Sequence, residues 1–378
     1  MQIIEKTGID SQERSILVFP ATHPAGREFI EAARERGENV ISASSVLDVE
    51  SEEELGQLVR LPHVYDADFQ AQFLALVRKH HVASVYAPVA AVYAWLEQFI
   101  RNSGFPIRLI GTSPIKREMG RFNRLMDKTA RYENFIEACA DGHHALSRLE
   151  IASVFKAANN IYGESNDQKI AAMMAIFSSA VKGDVIEIGS LAGKSAVVLA
   201  LMARRYAIGN VLAIDPWLQE TATQRDSPDT ISGDLMSEWN YETLPQNFTI
   251  SLLPAGLGIM NYLRAESAQG FDTYRNCLEV TSPIFGRVGY EGRISVIHID
   301  GNHDYAQVRQ DCDLWLPLMA PGGWLILDDY LWAHGDGPYR VGNTLLAEHA
   351  DEIERSFVCG KALFVMFSQT PGQGRRPQ

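Results

Sequence analysis

Two segments place acidic side chains where a reaction could use them. Ile294-Ser-Val-Ile-His-Ile-Asp-Gly-Asn-His-Asp-Tyr305 is an apolar run ending in a polar cluster, and Trp324-Leu-Ile-Leu-Asp-Asp-Tyr330 ends in a pair of acids. Short apolar runs of this kind read as buried strands, and residues 306–319 between them read as a helix before a Pro-Gly-Gly turn. Strand, helix and strand in that order make a right-handed parallel crossover, so the two carboxyl ends lie side by side. Asp300, Asp328 and Asp329 then converge on the sheet edge where ligands bind. Three carboxylates repel one another unless a cation lies among them, and Mg²⁺ or Mn²⁺, hard ions that prefer oxygen, meet that need. His303 follows Asp300 in the same loop and titrates near neutrality, which makes it the candidate general base, with Asp300 as its catalytic neighbour. Asp304 can instead cap the next helix, and His298, alternating into the sheet, reads as a core histidine.

A second group suits a nucleoside-bearing ligand. In Val185-Ile-Glu-Ile-Gly-Ser-Leu-Ala-Gly-Lys-Ser195 a buried strand runs into a turn with Gly189 and Gly193, and a helix follows. Glycines let backbone pass close to a ligand, and the helix start presents free N–H groups. The pattern is E-x-G-x-x-x-G, which lacks the third glycine of a dinucleotide fingerprint and puts the wrong charge beside a pyrophosphate. Glu187 suits the cationic amino-acid end of S-adenosylmethionine instead. The next strand ends in Ala213-Ile-Asp-Pro-Trp217. Asp215 stands where a ribose diol is bound in doubly wound sheets. Trp217 fits either adenine stacking or a core position.

The elements that must hold these groups alternate along 378 residues, a length that suggests two domains. Residues 1–125 read as a small α/β domain, with strands at Ser15–Pro20, Asn39–Ala43, Ala83–Pro88 and Ile107–Gly111. Residues 126–180 read as a helical connector, 181–369 as a second α/β domain, and 370–378 as a mobile Gly/Pro/Arg tail. The long polar stretch after Trp217 hides its third strand and reads as a lid or substrate wall, with Trp239 and Tyr241 as acceptor contacts. A net charge of −13 repels phosphate backbones and anionic lipids. No nucleic acid or membrane partner is therefore expected, and no apolar run reaches the ~18 residues of a membrane span. Four separated cysteines without a CxxC pair and an N-terminus without an apolar core favour a reduced, cytoplasmic protein. A homo-oligomer is compatible with all of this.

The segments E-I-G-S-L-A-G-K-S, I-D-P-W, I-D-G-N-H-D-Y and P-G-G-W-L-I-L-D-D-Y, in that order, resemble class I S-adenosylmethionine-dependent methyltransferases. They are most similar to the metal-dependent O-methyltransferase branch that includes the macrocin and mycinamicin sugar methyltransferases, and catechol-type enzymes are similar at the same places. The resemblance implies a Rossmann-like domain with a mostly parallel sheet and an antiparallel last strand. It implies S-adenosylmethionine at Glu187, Gly189, Ser190, Gly193, Ser195, Asp215 and Trp217, Mg²⁺ (or Mn²⁺) on Asp300, Asp328 and Asp329, and His303 as base. The expected reaction is methyl transfer to a hydroxyl of a small molecule, a sugar or natural-product diol. A metal-independent enzyme acting on an amine or acid, a non-catalytic cofactor-binding scaffold and a dehydrogenase are the alternatives. The first domain, through I-L-V-F-P-A-T-H-P-A-G and L-I-G-T-S-P…M-D-K-T-A-R, resembles the small α/β domain that precedes ATP-grasp bodies. No such body follows, so no ATP chemistry is expected, and His23, Pro24 and Gly26 read as an ordinary strand–helix turn.

Overall fold

Runs rich in Val, Ile and Ala, spaced by amphipathic segments, fold in the first part of the chain into β1 (Ser15–Val18), α1 (Pro24–Glu35), β2 (Val40–Ser44), α2 (Val49–Leu55), β3 (Leu58–Arg60), α3 (Phe69–Lys79), β4 (Val82–Tyr86), α4 (Ala90–Ser103) and β5 (Arg108–Leu109). The computed structural model describes residues 14–47, 49–140, 145–228 and 236–372. They divide into two units, Met1–Arg124 and Leu125–Gln378. The N-terminal residues before Arg14, the polar residues 229–235 and positions 373–378 of the expected tail lie outside the described residues. In the first unit every strand pair is parallel, in the order β3-β2-β1-β4-β5. The α2–β3 segment has no counterpart in the sequence reading, because Val-Glu-Ser-Glu-Glu-Glu-Leu buries only Ser51 and Leu55 and shows almost no apolar periodicity.

Helix α5 (Pro114–Cys139) starts in the first unit and ends in the second. The second unit continues with α6 (Arg148–Asn159), α7 (Asp167–Ile176), β6 (Asp184–Ile188), α8 (Lys194–Tyr206), β7 (Val211–Ile214), α9 (Gln219–Ala222), α10 (Leu244–Gly256), β8 (Met260–Leu263), α11 (Ser267–Cys277), β9 (Glu279–Ser282), β10 (Gly286–Gly289), β11 (Ile294–Ile299), α12 (Tyr305–Trp315), β12 (Met319–Leu327), α13 (Gly337–Glu348), β13 (Ile353–Cys359) and β14 (Ala362–Phe367). Seven strands line up as β13-β14-β12-β11-β6-β7-β8. The core pairs are parallel, and β14 runs antiparallel to both β12 and β13. The fold is thus a Rossmann-like α/β domain preceded by a smaller α/β unit.

Side chains alternate across a sheet, so each strand feeds two cores. Val185, Ala213, Val296 and Ile326 face the layer of α6, α7, α8 and α10. Ile186, Leu212, Ile297 and Leu325 face α11, α12 and α13. The helices expected as a connector are therefore part of the sheet's own cover: α7 is buried from Lys169 to Ile176. Among the described residues, no helix is long and apolar enough to cross a membrane.

The strand that the sequence hides is β8, a run of four residues, Met-Asn-Tyr-Leu, with a fully buried polar residue in it. Asn261 explains both its disguise and its place. Its Nδ2 donates to the carbonyls of Val280 (2.8 Å) and Gly286 (2.9 Å), tying the β9–β10 hairpin to the sheet edge. Asn261→Ala leaves two acceptors without that donor and is expected to cost about 2–3 kcal/mol, read as a lower denaturation midpoint at unchanged m-value.

Candidate active site

The alternation that builds the two cores also sorts the polar residues. Continuing β6 as 185, 187, 189, β11 as 296, 298, 300 and β12 as 324, 326, 328 puts Glu187, His298, Asp300 and Asp328 on the face covered by α7. Glu187 and His298 are direct register partners. The acids at the carboxyl ends of β11 and β12 therefore meet the N-terminal turn of α7, and what α7 offers them is Lys169. Its ammonium, 1% exposed, contacts Asp328 Oδ2 and lies 3.2 Å from Asp300 Oδ2. His298 Nε2 is 3.6 Å from Asp300 Oδ2, and Nδ1 is 3.1 Å from Glu187 Oε1. Glu187 Oε2 accepts from the Ser190 hydroxyl at 2.6 Å. A buried chain of charged and polar groups thus runs from α7 through the strand ends into the loop after β6.

Electrostatics follow this packing. Burial alone would depress the Lys169 ammonium, but the carboxylates of Asp300 and Asp328 outweigh it and hold the ammonium above lysine's ordinary range. Asp300 is pushed up by burial and by the charge of Asp328. Asp328 is drawn down because Lys169 overcomes its burial.

The three acids do not surround one point. Two donor groups share Asp300: His298–Asp300–Asp328, and Asp300–His303–Asp329. Lys169 fills the first. In the second, His303 Nε2 is buried without a hydrogen-bond partner, 3.5 Å from Asp329 Oδ2 and 3.9 Å from Asp300 Oδ1. Lys361, in the β13–β14 turn, binds Asp329 Oδ1 at 2.8 Å. Asp329 sits at a φ of 48°, a left-handed geometry that Asp tolerates better than most residues. Burial lowers and the neighbouring carboxylates raise the basicity of His303, with a net rise above the ordinary imidazole value. On its other side the Gln224 side-chain amide approaches Nδ1 at 3.2 Å, and the Ser227 hydroxyl holds the far end of that amide at 2.9 Å. A hydroxyl can donate or accept, so the amide can turn either end to the ring.

Around the β6 and β7 ends, Gly189, Ser190, Leu191, Ser195, Asp215 and Trp217 border a cleft of about 960 Å³ that also reaches Asp300, His303, Asp328 and Asp329. Three expectations change here. Glu187 is fully buried and does not border the cleft; it braces Ser190 and His298. Asp215 borders the cleft, yet its carboxylate first takes the backbone N–H groups of Ser190 (2.8 Å), Leu191 (3.0 Å) and Trp217 (2.7 Å). Trp217 is a core residue: it packs on Phe248 and Tyr262, and its indole N–H donates to the Leu191 carbonyl. Gly189 and Gly193 are demanded by protein neighbours. A Cβ on Gly189 would lie 2.1 Å from the Asp300 carbonyl oxygen, and one on Gly193 would lie 2.1 Å from Leu252.

Asp304 takes the N-cap position of α12 without making a cap hydrogen bond. Its carboxylate instead accepts from the backbone of Arg225 (2.8 Å) and Asp226 (2.8 Å). Asn302 Nδ2 donates to the Thr221 and Thr223 carbonyls, both at 3.0 Å, and Asp226 Oδ2 accepts from Tyr305 N at 3.0 Å. Residues 221–226 of the polar stretch are therefore strapped down by the loop that carries His303. Trp239 and Tyr241 also line the cleft, Trp239 edge-on to Tyr162.

Residues 186–330, from β6 to the end of the β12 acids, match a family described as a methyltransferase domain. No curated protein matches the chain. Among solved structures, the O-methyltransferase NovP is similar at 13% identity and a TM-score of 0.36, over 60% of this chain and 83% of that one. The calicheamicin methyltransferase CalS11 is similar at 12% identity and 0.39, over 68% and 94%. MycE, from the mycinamycin biosynthetic pathway in complex with Mg, SAH and mycinamycin VI, is similar at 15% identity and 0.30, over 52% and 48%. The family match lies wholly within the second unit, which thus carries the region similar to a methyltransferase domain.

Two outcomes follow for acids on and beside α12. Asp304→Ala frees the strap, so the amides of Arg225 and Asp226 should exchange with solvent faster while those of β6 do not change. Asp311, on α12 at the cleft wall, is pushed up to about 6 by burial. The folded state then holds a proton that the unfolded state has already lost. Asp311 therefore contributes stability at acid pH that is lost as pH rises through about 6, by up to about 3 kcal/mol. Asp311→Asn should flatten that slope in denaturation midpoints measured from pH 4 to 8, values chosen to span roughly the two pKa values.

Proposed function

We propose that this chain transfers the methyl group of S-adenosylmethionine to a hydroxyl oxygen of a small molecule. The observation that carries the reading is His303 Nε2, unpartnered at the cleft beside Asp300 and Asp329. The methyl donor supplies an electrophilic carbon on a sulfonium. As the new O–CH₃ bond forms and the S–CH₃ bond breaks, the hydroxyl proton passes to Nε2, and S-adenosylhomocysteine remains. With the Gln224 amide oxygen turned to an Nδ1 proton, Nε2 is the free basic nitrogen. Charge balance favours that transfer. Asp300, Asp328 and Asp329 bring three negative charges and Lys169 and Lys361 bring two positive ones, so a protonated His303 completes the set.

Gly189, Ser190, Ser195 and Asp215 hold the donor in this reading, while Gly193 packs against Leu252 away from the cleft, and exclusion of water by the strap keeps the in-line geometry. A cleft of about 960 Å³ accommodates a nucleoside-sized donor with a compact acceptor. Sugar or natural-product diols, the acceptors suggested by the macrocin- and mycinamicin-type resemblance, are the class we favour. The divalent ion implied by that resemblance does not fit the Asp300–Asp328 pair, which closes on Lys169. For the first unit we carry forward only the likeness to the domain that precedes ATP-grasp bodies, without ATP chemistry.

The test is methyl transfer from labelled S-adenosylmethionine to a panel of dihydroxy acceptors. His303→Ala and Asp329→Ala are expected to lose at least ~100-fold in turnover, while calorimetric binding of S-adenosylhomocysteine is largely kept. Turnover retained in both variants would overturn the base assignment.

A further inference from the structure

We propose that Lys169 is a resident cation that stands in for a divalent metal at the Asp300–Asp328 pair. The inference rests on the reading of the cleft above and concerns the same acids.

Lys169 is not a surface lysine that happens to reach inward. It sits in the first turn of α7, its backbone N–H capped by Asn166 Oδ1 at 2.9 Å, and every residue from Ile170 to Ile176 is buried and apolar. The helix gives the side chain no route to water, and its ammonium lies on the side that Asp300 Oδ2 and Asp328 Oδ2 share. His298 Nε2 approaches the same two oxygens at 3.6 and 4.0 Å. An ion ligated by this pair would have to take the space of Nζ, a group with three donors and no acceptor.

The second cation arrives through the same contact. Gly360, at a φ of 57°, packs so closely on α7 that a Cβ there would lie 2.3 Å from the Lys169 backbone nitrogen and 2.4 Å from Asn166 Oδ1. The next residue, Lys361, reaches Asp329. One glycine contact therefore delivers both ammonium groups to the three acids. Lys169 acts through Asp300 and Asp328 and does not border the cleft, which makes it a positioning residue.

The chain as it stands, first saturated with S-adenosylhomocysteine in a calorimeter, is then titrated with Mn²⁺. Wild type should bind the nucleoside and show no saturable Mn²⁺ uptake up to about 1 mM. Lys169→Ala should bind one Mn²⁺ per chain at least ~10-fold tighter than that limit, because removing the ammonium leaves two buried carboxylates and an imidazole for an ion to fill. If that variant does not fold, Lys169→Gln, which keeps the stem and drops the charge, is titrated in its place. Wild-type uptake of one Mn²⁺ that Asp328→Asn abolishes would overturn the proposal, and so would a folded Lys169 variant that binds none. Failure of S-adenosylhomocysteine to bind wild type would strike the cleft reading instead, while the Mn²⁺ comparison between wild type and variant would still decide the role of Lys169.

Discussion

One buried ammonium organises the carboxyl edge of the second sheet. Parallel strands that end in acid bring carboxylates together whether or not they can tolerate one another, and burial removes the water that would screen them. Lys169 settles this from within the chain. Its contacts with Asp300 and Asp328 pull α7 onto the strand ends, and His298 extends the arrangement to Glu187 and the loop after β6. Loss of either partner would leave a buried charge alone, which is more costly than the pair is stabilising.

The loops around this centre depend on similarly economical side chains. Asp215 gathers three backbone N–H groups and so shapes the turn that borders the cleft. Asp304 and Asn302 do the same for the strap over the far side. In both places a residue type expected to touch a ligand, or to cap a helix, holds backbone instead. Facing the cleft are then Asp300 and Asp329, each held by a lysine on one oxygen, and His303, whose Nε2 makes no structural bond.

Much of this was legible in the sequence. Apolar runs ending in Asp-Gly-Asn-His and Asp-Asp announced two adjacent strands, and Asp300 and the Asp328-Asp329 pair do lie at the ends of β11 and β12. The loop after β6 was legible because glycines mark turns. What stayed hidden has physical reasons. Lys169 opens a helix, where a cation ordinarily faces water, and only the unbroken apolar run behind it hints at burial. Lys361 sits in a turn, again a place for solvated charge. Glu187 and His298 could have been paired by strict alternation, since each is an even step from a residue of the same face. β8 is too short, and carries Asn261 in its middle, so no periodicity betrays it.

The contact between Gly189 and the Asp300 carbonyl joins the two halves of the cleft backbone to backbone. The distance from the loop after β6 to the acids is thereby set by main chain alone, with no side chain whose exchange could widen or narrow it. Adjustability is left to the opposite bank, where Gln224, Trp239 and Tyr241 stand on segments held by replaceable polar ties. Substitutions that reshape the cleft have their freedom on that bank; on the other, the seam admits none.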